Sequence, residues 1–182
     1  KLLDDVGPKL WCGYSYAWLG NLKARAKDGE GAAKALTIFS TAFCSTNSFH
    51  LNGDQTKSGY SDFVYRPFTL EGNFAFAAGL QEMLIQSHAG FLEVFPAIPA
   101  DWNDASFKTM RAEGAFLVSA EKKNGKVVLL NIQSEKGGIL KVKSPFGKFE
   151  QKISGKVKIL ESEPGFIRID FEPNSRITIN AI

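Results

Sequence analysis

The sequence predicts an α+β fragment in two parts, with helices over residues 1–104 and a small antiparallel β-sandwich over residues 105–182. Three observations predict this division. Apolar residues recur with a helical period in the first part, the period changes to two from about Ser106, and Pro96 and Pro99 interrupt the pattern between them. A chain of 182 residues is long enough for two small domains.

The first two helices are predicted over Tyr14–Lys27 and Glu30–Phe43. The first carries an apolar stripe, and we expect its Tyr14 and Trp18 to lie in the core. Asp28-Gly29 ends this helix, and so short a turn predicts that the two helices are antiparallel.

A long segment without helical or strand periodicity follows, from Cys44 to Thr69. It combines amides, carboxylates, hydroxyls and aromatic rings, a mixture that suits the hydroxyls and apolar faces of a sugar. His50 and Tyr65 are its candidate sugar contacts. A loop with a purely structural role explains the same composition equally well.

A third helix is predicted over Gly72–His88. It is apolar on nearly all sides, which is typical of a buried helix and fits the inner ring of a helical barrel.

The second part is predicted to hold six or seven short strands. Asn124-Gly125 between two apolar runs is a strong signal for a β-hairpin. The expected strands are Ala115–Val118, Val127–Ile132, Ile139–Val142, Val157–Leu160, Phe166–Phe171 and Ile177–Ile182. Short strands with regular turns favour a sandwich.

Composition narrows the function classes. The net charge is +3. The basic residues of the second part alternate with apolar ones, which favours solvent-exposed faces of strands over a nucleic-acid binding site. No apolar run approaches the roughly 20 residues that span a membrane. Cys12, Cys44, His50 and His88 lack metal-site spacing, so we expect buried free thiols and neither metal nor cofactor, although a disulfide stays open.

Glu71 is the candidate catalytic residue. It begins the third helix, whose positive end favours an anionic side chain, and it follows the polar loop, so it could act as a general base. A simple capping role for Glu71 is an equally good interpretation. Asn73, in the same turn, could bond a sugar hydroxyl or the backbone.

Several segments resemble glycoside hydrolase family 95, the α-L-fucosidase type. Pro67–Phe74 resembles the family motif Pro-Phe-Gln-Ile-Asp-Gly-Asn-Phe, and Gln81–His88 resembles Ala-Glu-Met-Leu-Leu-Gln-Ser-His. Phe95–Pro99 with Trp102 resembles Leu-Pro-Ala-Leu-Pro…Trp. Upstream, Gly13–Trp18 and Ala24–Glu30 resemble two further family segments, in the same order.

The resemblance implies the end of an (α/α)6, six-hairpin catalytic barrel followed by a C-terminal β domain. It implies an inverting hydrolase of terminal L-fucose or a related sugar in glycans, with the general acid and the water-positioning asparagines upstream. Only the motif carboxylate maps here, onto Glu71. A secreted or periplasmic location follows from such a polymeric substrate.

Two departures from the family pattern concern the site. The motif Asp is Glu71 here, one methylene longer, and the family's Gly-Gly after Asn-Phe is Ala75-Phe76. We therefore expect an adjusted pocket, with L-fucose as the default substrate. The alternative function is a non-catalytic carbohydrate-binding or structural module.

The chain start does not resemble the start of a domain. It has no initiator Met, and Leu2–Gly7 lacks the features of a first element. We interpret the chain as a fragment, and expect it to be inactive alone. Its helical faces are expected to bind the missing N-terminal portion of the enzyme or a second copy of the chain.

Overall fold

A computed structural model describes residues 7–182. Residues 1–6 lie outside the described part, and with them most of the Leu2–Gly7 segment. The chain divides into two compact units, each with its own core. Unit 1 runs to Met83 and includes Ala97–Pro99, whereas unit 2 comprises Leu84–Pro96 and Ala100–Ile182.

Three α-helices occur in the described residues: α1 (Gly13–Arg25), α2 (Gly29–Ala42) and α3 (Leu70–Leu84). Asp28 caps α2, because its carboxylate accepts the Gly31 N–H at 2.8 Å. The turn before it contains Lys27 at a φ of 63°. The predicted helix–turn–helix is confirmed to within two residues at each end.

The face of α1 that enters the core differs from the predicted one. Small residues at Ala17, Gly20 and Ala24 are buried together with Tyr16. Trp18 is 47% exposed and Tyr14 is also exposed, so their expected place in the core was wrong. Small residues occupy the buried face of α1 because α2 approaches it closely: a Cβ on Gly20 would lie 2.6 Å from the Leu36 side chain.

Helix α3 is shorter and more exposed than expected. It ends at Leu84, and the next two residues form a strand. Within the described chain only Gly72, Gly79 and Met83 of α3 are buried, while Phe74 is 68% exposed. The expected burial on all sides is therefore wrong here, since packing reaches α3 on one side, where Leu36 of α2 lies against Gly79.

Unit 2 is built from ten strands in the described residues. They are β1 (Ile85–Gln86), β2 (Glu93–Val94), β3 (Ala105–Ala112), β4 (Phe116–Lys123), β5 (Lys126–Ser134), β6 (Gly138–Lys143), β7 (Phe149–Ser154), β8 (Val157–Leu160), β9 (Phe166–Phe171) and β10 (Arg176–Ala181). One sheet has the order β3-β4-β5-β10-β7, a second has β6-β9-β8, and β1 pairs with β2. All these pairings are antiparallel.

The two larger sheets of unit 2 share one hydrophobic core, as predicted for a sandwich. Ile132 and Ile177 of the first sheet and Val142 and Ile169 of the second are fully buried in it. The predicted hairpin is present between β4 and β5, where Asn124 and Gly125 have φ values of 48° and 77°. Positive φ at both positions matches a type I′ turn.

The units divide earlier than the predicted position between residues 104 and 105. Residues 85–94 pair as β1 and β2, and Ile85, Leu92 and Val94 belong to the core of unit 2. Leu92 also bridges to Val142. The described residues contain no helix that is both long and apolar enough to cross a membrane.

Candidate functional site

The candidate site lies in unit 1, where the polar loop meets the first turn of α3. Glu71 is the second residue of α3 and its side chain is exposed. The chain enters the helix through Phe68, which pairs as an isolated antiparallel bridge with Leu51 of the loop. The loop backbone is thereby aligned with the residues that precede Glu71.

Asp54 organises the first half of the loop. Its buried carboxylate accepts hydrogen bonds from the backbone N–H groups of Thr56, Lys57 and Tyr60 and from the Thr56 hydroxyl. Burial acts to raise the pKa of Asp54, but these bonds, led by those from Thr56, outweigh it and hold the pKa below its ordinary value. Asp54 is thus a structural anchor of the loop.

The second half of the loop is tied to the helices. The Tyr16 hydroxyl of α1 donates to the Tyr60 carbonyl at 2.7 Å. Burial, assisted by Tyr60 and Asp54, raises the pKa of Tyr16 to about 12. The hydroxyl therefore stays protonated, and it remains a donor to the loop backbone at all ordinary pH values.

His50 lies in the helical core and not on the loop surface. Its side chain is 0% exposed, and its ring packs against Phe39 with the ring centroids 5.2 Å apart. Nδ1 lies 2.9 Å from the Thr69 carbonyl oxygen, and Nε2 is buried without a hydrogen-bond partner. His50 was a candidate sugar contact, and in the described chain its ring has no exposed surface for one.

Burial lowers the pKa of His50 below its ordinary value of 6.5, against smaller opposing effects of the Thr69 carbonyl and the Glu71 charge. A protonated ring would place an N–H on the buried Nε2, where the described residues offer no acceptor. The imidazole is therefore neutral at pH 7.

The side-chain amide of Asn73 forms hydrogen bonds with the protein backbone. Its oxygen accepts the His50 N–H at 2.9 Å, and its nitrogen donates to the Ser48 carbonyl at 2.8 Å. Of the two roles left open by the sequence, the bond to backbone is the one that the structure contains.

Tyr65 remains accessible to a ligand. It is 45% exposed, and its ring meets Phe63 edge-on with centroids 5.4 Å apart. Phe49 and Phe68 are also exposed, and their ring centroids lie 5.5 Å apart. Exposed aromatic faces of this kind can pack against the apolar face of a sugar ring.

Ala75-Phe76, which stands where the family pattern has Gly-Gly, does not crowd the exposed side of α3. Phe76 stacks on Phe39 in the helical core, with centroids 5.3 Å apart. The Ala75 carbonyl accepts a hydrogen bond from Asn21 of α1 at 2.8 Å. Phe76 therefore serves helix packing.

Two residues that the sequence did not single out complete the site. The Thr69 hydroxyl lies 2.9 Å from His50 Nδ1, and it donates to Asn52 Oδ1 at 3.3 Å. Gly72 lies against His50, since a Cβ there would be 2.4 Å from Nδ1. The glycine between Glu71 and Asn73 was the available signal, because glycine marks close approach.

Both cysteines are free and partly buried, a little less enclosed than expected. Burial raises the pKa of the Cys44 thiol. The Cys44 thiol is therefore not activated for nucleophilic chemistry by the surroundings seen here.

Comparisons with known proteins agree with this division of the chain. The profile described as the glycosyl hydrolase family 95 catalytic domain matches residues 7–84. The profile of the glycoside hydrolase family 95 C-terminal domain matches residues 86–179. Alpha-L-fucosidase 2 of Arabidopsis thaliana is 31% identical over 136 residues, which cover 74% of this chain and 15% of that protein.

Proposed function

The chain belongs to glycoside hydrolase family 95, and on that premise we propose that it forms part of an enzyme that cleaves terminal L-fucose or a related sugar from glycans. Unit 1 then contributes helices of an (α/α)6 catalytic barrel, and unit 2 is its C-terminal β domain. The alignment covers 15% of the length of the plant fucosidase, so the activity belongs to a larger assembly of residues than those described here.

The observation that carries this proposal is the placement of Glu71. Its carboxylate is exposed at the positive end of α3, next to a loop with accessible aromatic rings. A carboxylate that can reach solvent is able to accept a proton from an attacking water.

The proposed reaction is hydrolysis with inversion. Glu71 draws a proton from water as the water attacks the anomeric carbon, and a general acid protonates the departing glycosidic oxygen. In inverting enzymes the two carboxyl groups lie about 6.5–9.5 Å apart, which leaves room for the water. We assign the general acid to a part of the enzyme outside this chain, so the chain alone is inactive. Such a glycan substrate fits a secreted or periplasmic enzyme.

The partner proposed for unit 1 is the remainder of the catalytic domain. Gly20 of α1 and Gly79 of α3 both contact Leu36 of α2. Residues 18 and 22, and likewise 70 and 74, lie about 140–180° around their helices from these glycines at about 100° per residue. Trp18, Leu22, Leu70 and Phe74 are exposed and lie on the sides of α1 and α3 away from Leu36, and we call these four residues the outer face.

Exposed apolar patches commonly mark a surface that binds another segment of protein. The aromatic and aliphatic side chains of the outer face suit a further helix packed across α1 and α3. Since residues 7–84 match a catalytic-domain profile, helices of that same domain are the occupant we propose, in preference to a second copy of the chain.

Hydrolysis of an aryl α-L-fucoside and of 2′-fucosyllactose by the complete polypeptide that carries this chain tests the proposal. The anomer released first is followed by NMR, and the isolated chain is assayed beside it. We expect β-L-fucose from the complete polypeptide and no turnover by the chain alone. If neither substrate is cleaved, the fucosidase assignment is wrong. That result would favour the alternative function, a non-catalytic carbohydrate-binding or structural module. Release of α-L-fucose first would overturn inversion.

A further inference from the structure

The loop segment 48–50 is clamped to the first turn of α3 by Asn73. One amide group holds two successive parts of the loop, through the His50 N–H at 2.9 Å and the Ser48 carbonyl at 2.8 Å. The Thr69 N–H adds a longer bond to the His50 carbonyl at 3.4 Å. Glu71 lies between Thr69 and Asn73 in the chain, so its backbone is fixed on both sides.

The His50 ring supplies a second, independent connection. A carbonyl oxygen can only accept, so the 2.9 Å contact with Thr69 O requires the ring proton to be on Nδ1. The Thr69 hydroxyl then accepts from the same N–H and donates its own proton to Asn52. The hydrogen bonds therefore define both the tautomer of His50 and the orientation of Thr69.

Two glycines make room for this ring. A Cβ on Gly72 would be 2.4 Å from Nδ1, and a Cβ on Gly13 would be 2.5 Å from Nε2. His50 is thus held between the starts of α1 and α3. Each residue of Glu-Gly-Asn at 71–73 therefore has its own role. Glu71 exposes a carboxylate, Gly72 leaves space for the His50 ring, and Asn73 binds the loop backbone.

We propose that His50, Thr69 and Asn73 are positioning residues that hold the backbone from which the Glu71 carboxylate projects. The inference rests on the proposed function, in which Glu71 activates water. A displacement of about 1 Å in such a group costs about 100-fold in rate. Because His50 is buried and the Asn73 amide is occupied by backbone, these residues act through Glu71 and not by contact with the sugar.

The test uses Asn73→Ala, His50→Leu and His50→Asn in the complete polypeptide, with Glu71→Gln as reference. Asn73→Ala should lower kcat about 10- to 100-fold and leave KM within about threefold. His50→Asn keeps a donor near the position of Nδ1, so it should retain more kcat than His50→Leu. Asn73 is only partly buried, and its alanine variant should fold even if the His50 variants do not.

The outcomes separate this inference from the function on which it rests. Loss of turnover in Glu71→Gln with wild-type kcat in Asn73→Ala overturns the positioning role and leaves the proposed function intact. A raised KM with unchanged kcat in Asn73→Ala also overturns it, since Asn73 would then contact the substrate. Full turnover in Glu71→Gln overturns both.

A measurement on this chain by itself checks the geometry without any activity. The ring carbon and nitrogen NMR shifts of His50 report which nitrogen carries the proton. The inference requires the Nδ1–H tautomer in the wild-type chain. An Nε2–H tautomer would contradict the bond to the Thr69 carbonyl and would overturn the inference.

Discussion

The Asn73 side-chain oxygen accepts the backbone N–H of His50 at 2.9 Å, and this bond joins the polar loop to the helical turn that carries Glu71. The loop that the sequence associates with sugar binding is therefore part of the structure that holds the carboxylate. The His50 ring and the Asn73 amide are used internally, whereas Glu71 and the rings of Phe49, Tyr65 and Phe68 are exposed.

Replacing Gly72 by alanine should destabilise unit 1. The new Cβ would lie 2.4 Å from His50 Nδ1, and His50 cannot retreat because Gly13 and Phe39 lie on its other sides. Overpacking of this kind costs about 1–3 kcal/mol. Chemical denaturation followed by circular dichroism measures the loss.

Gly147→Ala is the matched control for Gly72→Ala, because no atom lies within 4 Å of a Cβ built on Gly147. We expect its free energy of unfolding to lie within about 0.5 kcal/mol of the wild-type value. Equal effects of the two substitutions would contradict the close packing of His50 on α3.

The stability of the chain should decrease as the pH falls below 6.5. Burial lowers the pKa of His50, so below its ordinary value of 6.5 the unfolded chain binds a proton that the folded chain does not. The free energy of unfolding then falls by at most about 1.4 kcal/mol per pH unit, until the folded pKa is reached. Above pH 6.5 this contribution disappears.

Unfolding experiments at pH 7.5, 6.5 and 5.5 check this dependence in the wild type and in His50→Asn. The variant is less stable throughout, but its stability should change less over this range because the titrating ring is gone. A parallel decrease in both proteins would assign the pH dependence to other groups.

Shortening Glu71 to aspartate should lower turnover although it restores the family's usual residue. The loop and α3 here hold a carboxylate that is one methylene longer, so Glu71→Asp withdraws the oxygens by roughly 1 Å and lowers kcat about tenfold or more. Melting temperature should not change, since the side chain is exposed. Wild-type kcat in Glu71→Asp would show that the site tolerates either length.

Introducing charge on the outer face should reduce association. Phe74 is exposed on that face, so Phe74→Glu should not disturb the core of unit 1. We expect the isolated chain to bind a hydrophobic dye and self-associate at high concentration, and the variant to do so less. Light scattering and dye fluorescence measure both.

Ile139→Glu is the control for this prediction, because Ile139 is an exposed apolar residue of strand β6 in unit 2. It should leave association unchanged. An equal decrease in association in both variants would indicate non-specific hydrophobic association. It would contradict a specific binding role for the outer face.

The extent to which sequence predicted structure differs between the units. In unit 2 the Asn124-Gly125 turn and alternating strands such as Phe166–Phe171 are local signals, and they appear as expected. Strand β7 was missed because it is exposed along nearly its whole length and has no apolar alternation. Strand β3 was not among the expected strands, although a period of two was expected from about Ser106, because a register shift between Phe107 and Met110 interrupts the alternation.

In unit 1 the helices were predictable but their orientation was not. Close approach of α2 selects small residues such as Gly20 for the core of α1, and the large aromatic Trp18 lies outside. Periodicity gives the width of an apolar stripe, and only tertiary packing decides which of its edges is buried. His50 was misplaced for a related reason: a loop residue can fill a core position when glycines on two helices leave space for its ring.

We propose Glu71 as the catalytic carboxylate of a fucosidase-like enzyme, and one pair of variants provides the decisive comparison. Glu71→Gln is compared with Glu30→Gln, which removes the same charge from the exposed first turn of α2. The assay is the initial rate of aryl α-L-fucoside hydrolysis by the complete polypeptide. We expect a loss of about 100-fold or more for Glu71→Gln and a near wild-type rate for Glu30→Gln. Equal rates in the two variants would contradict this role of Glu71.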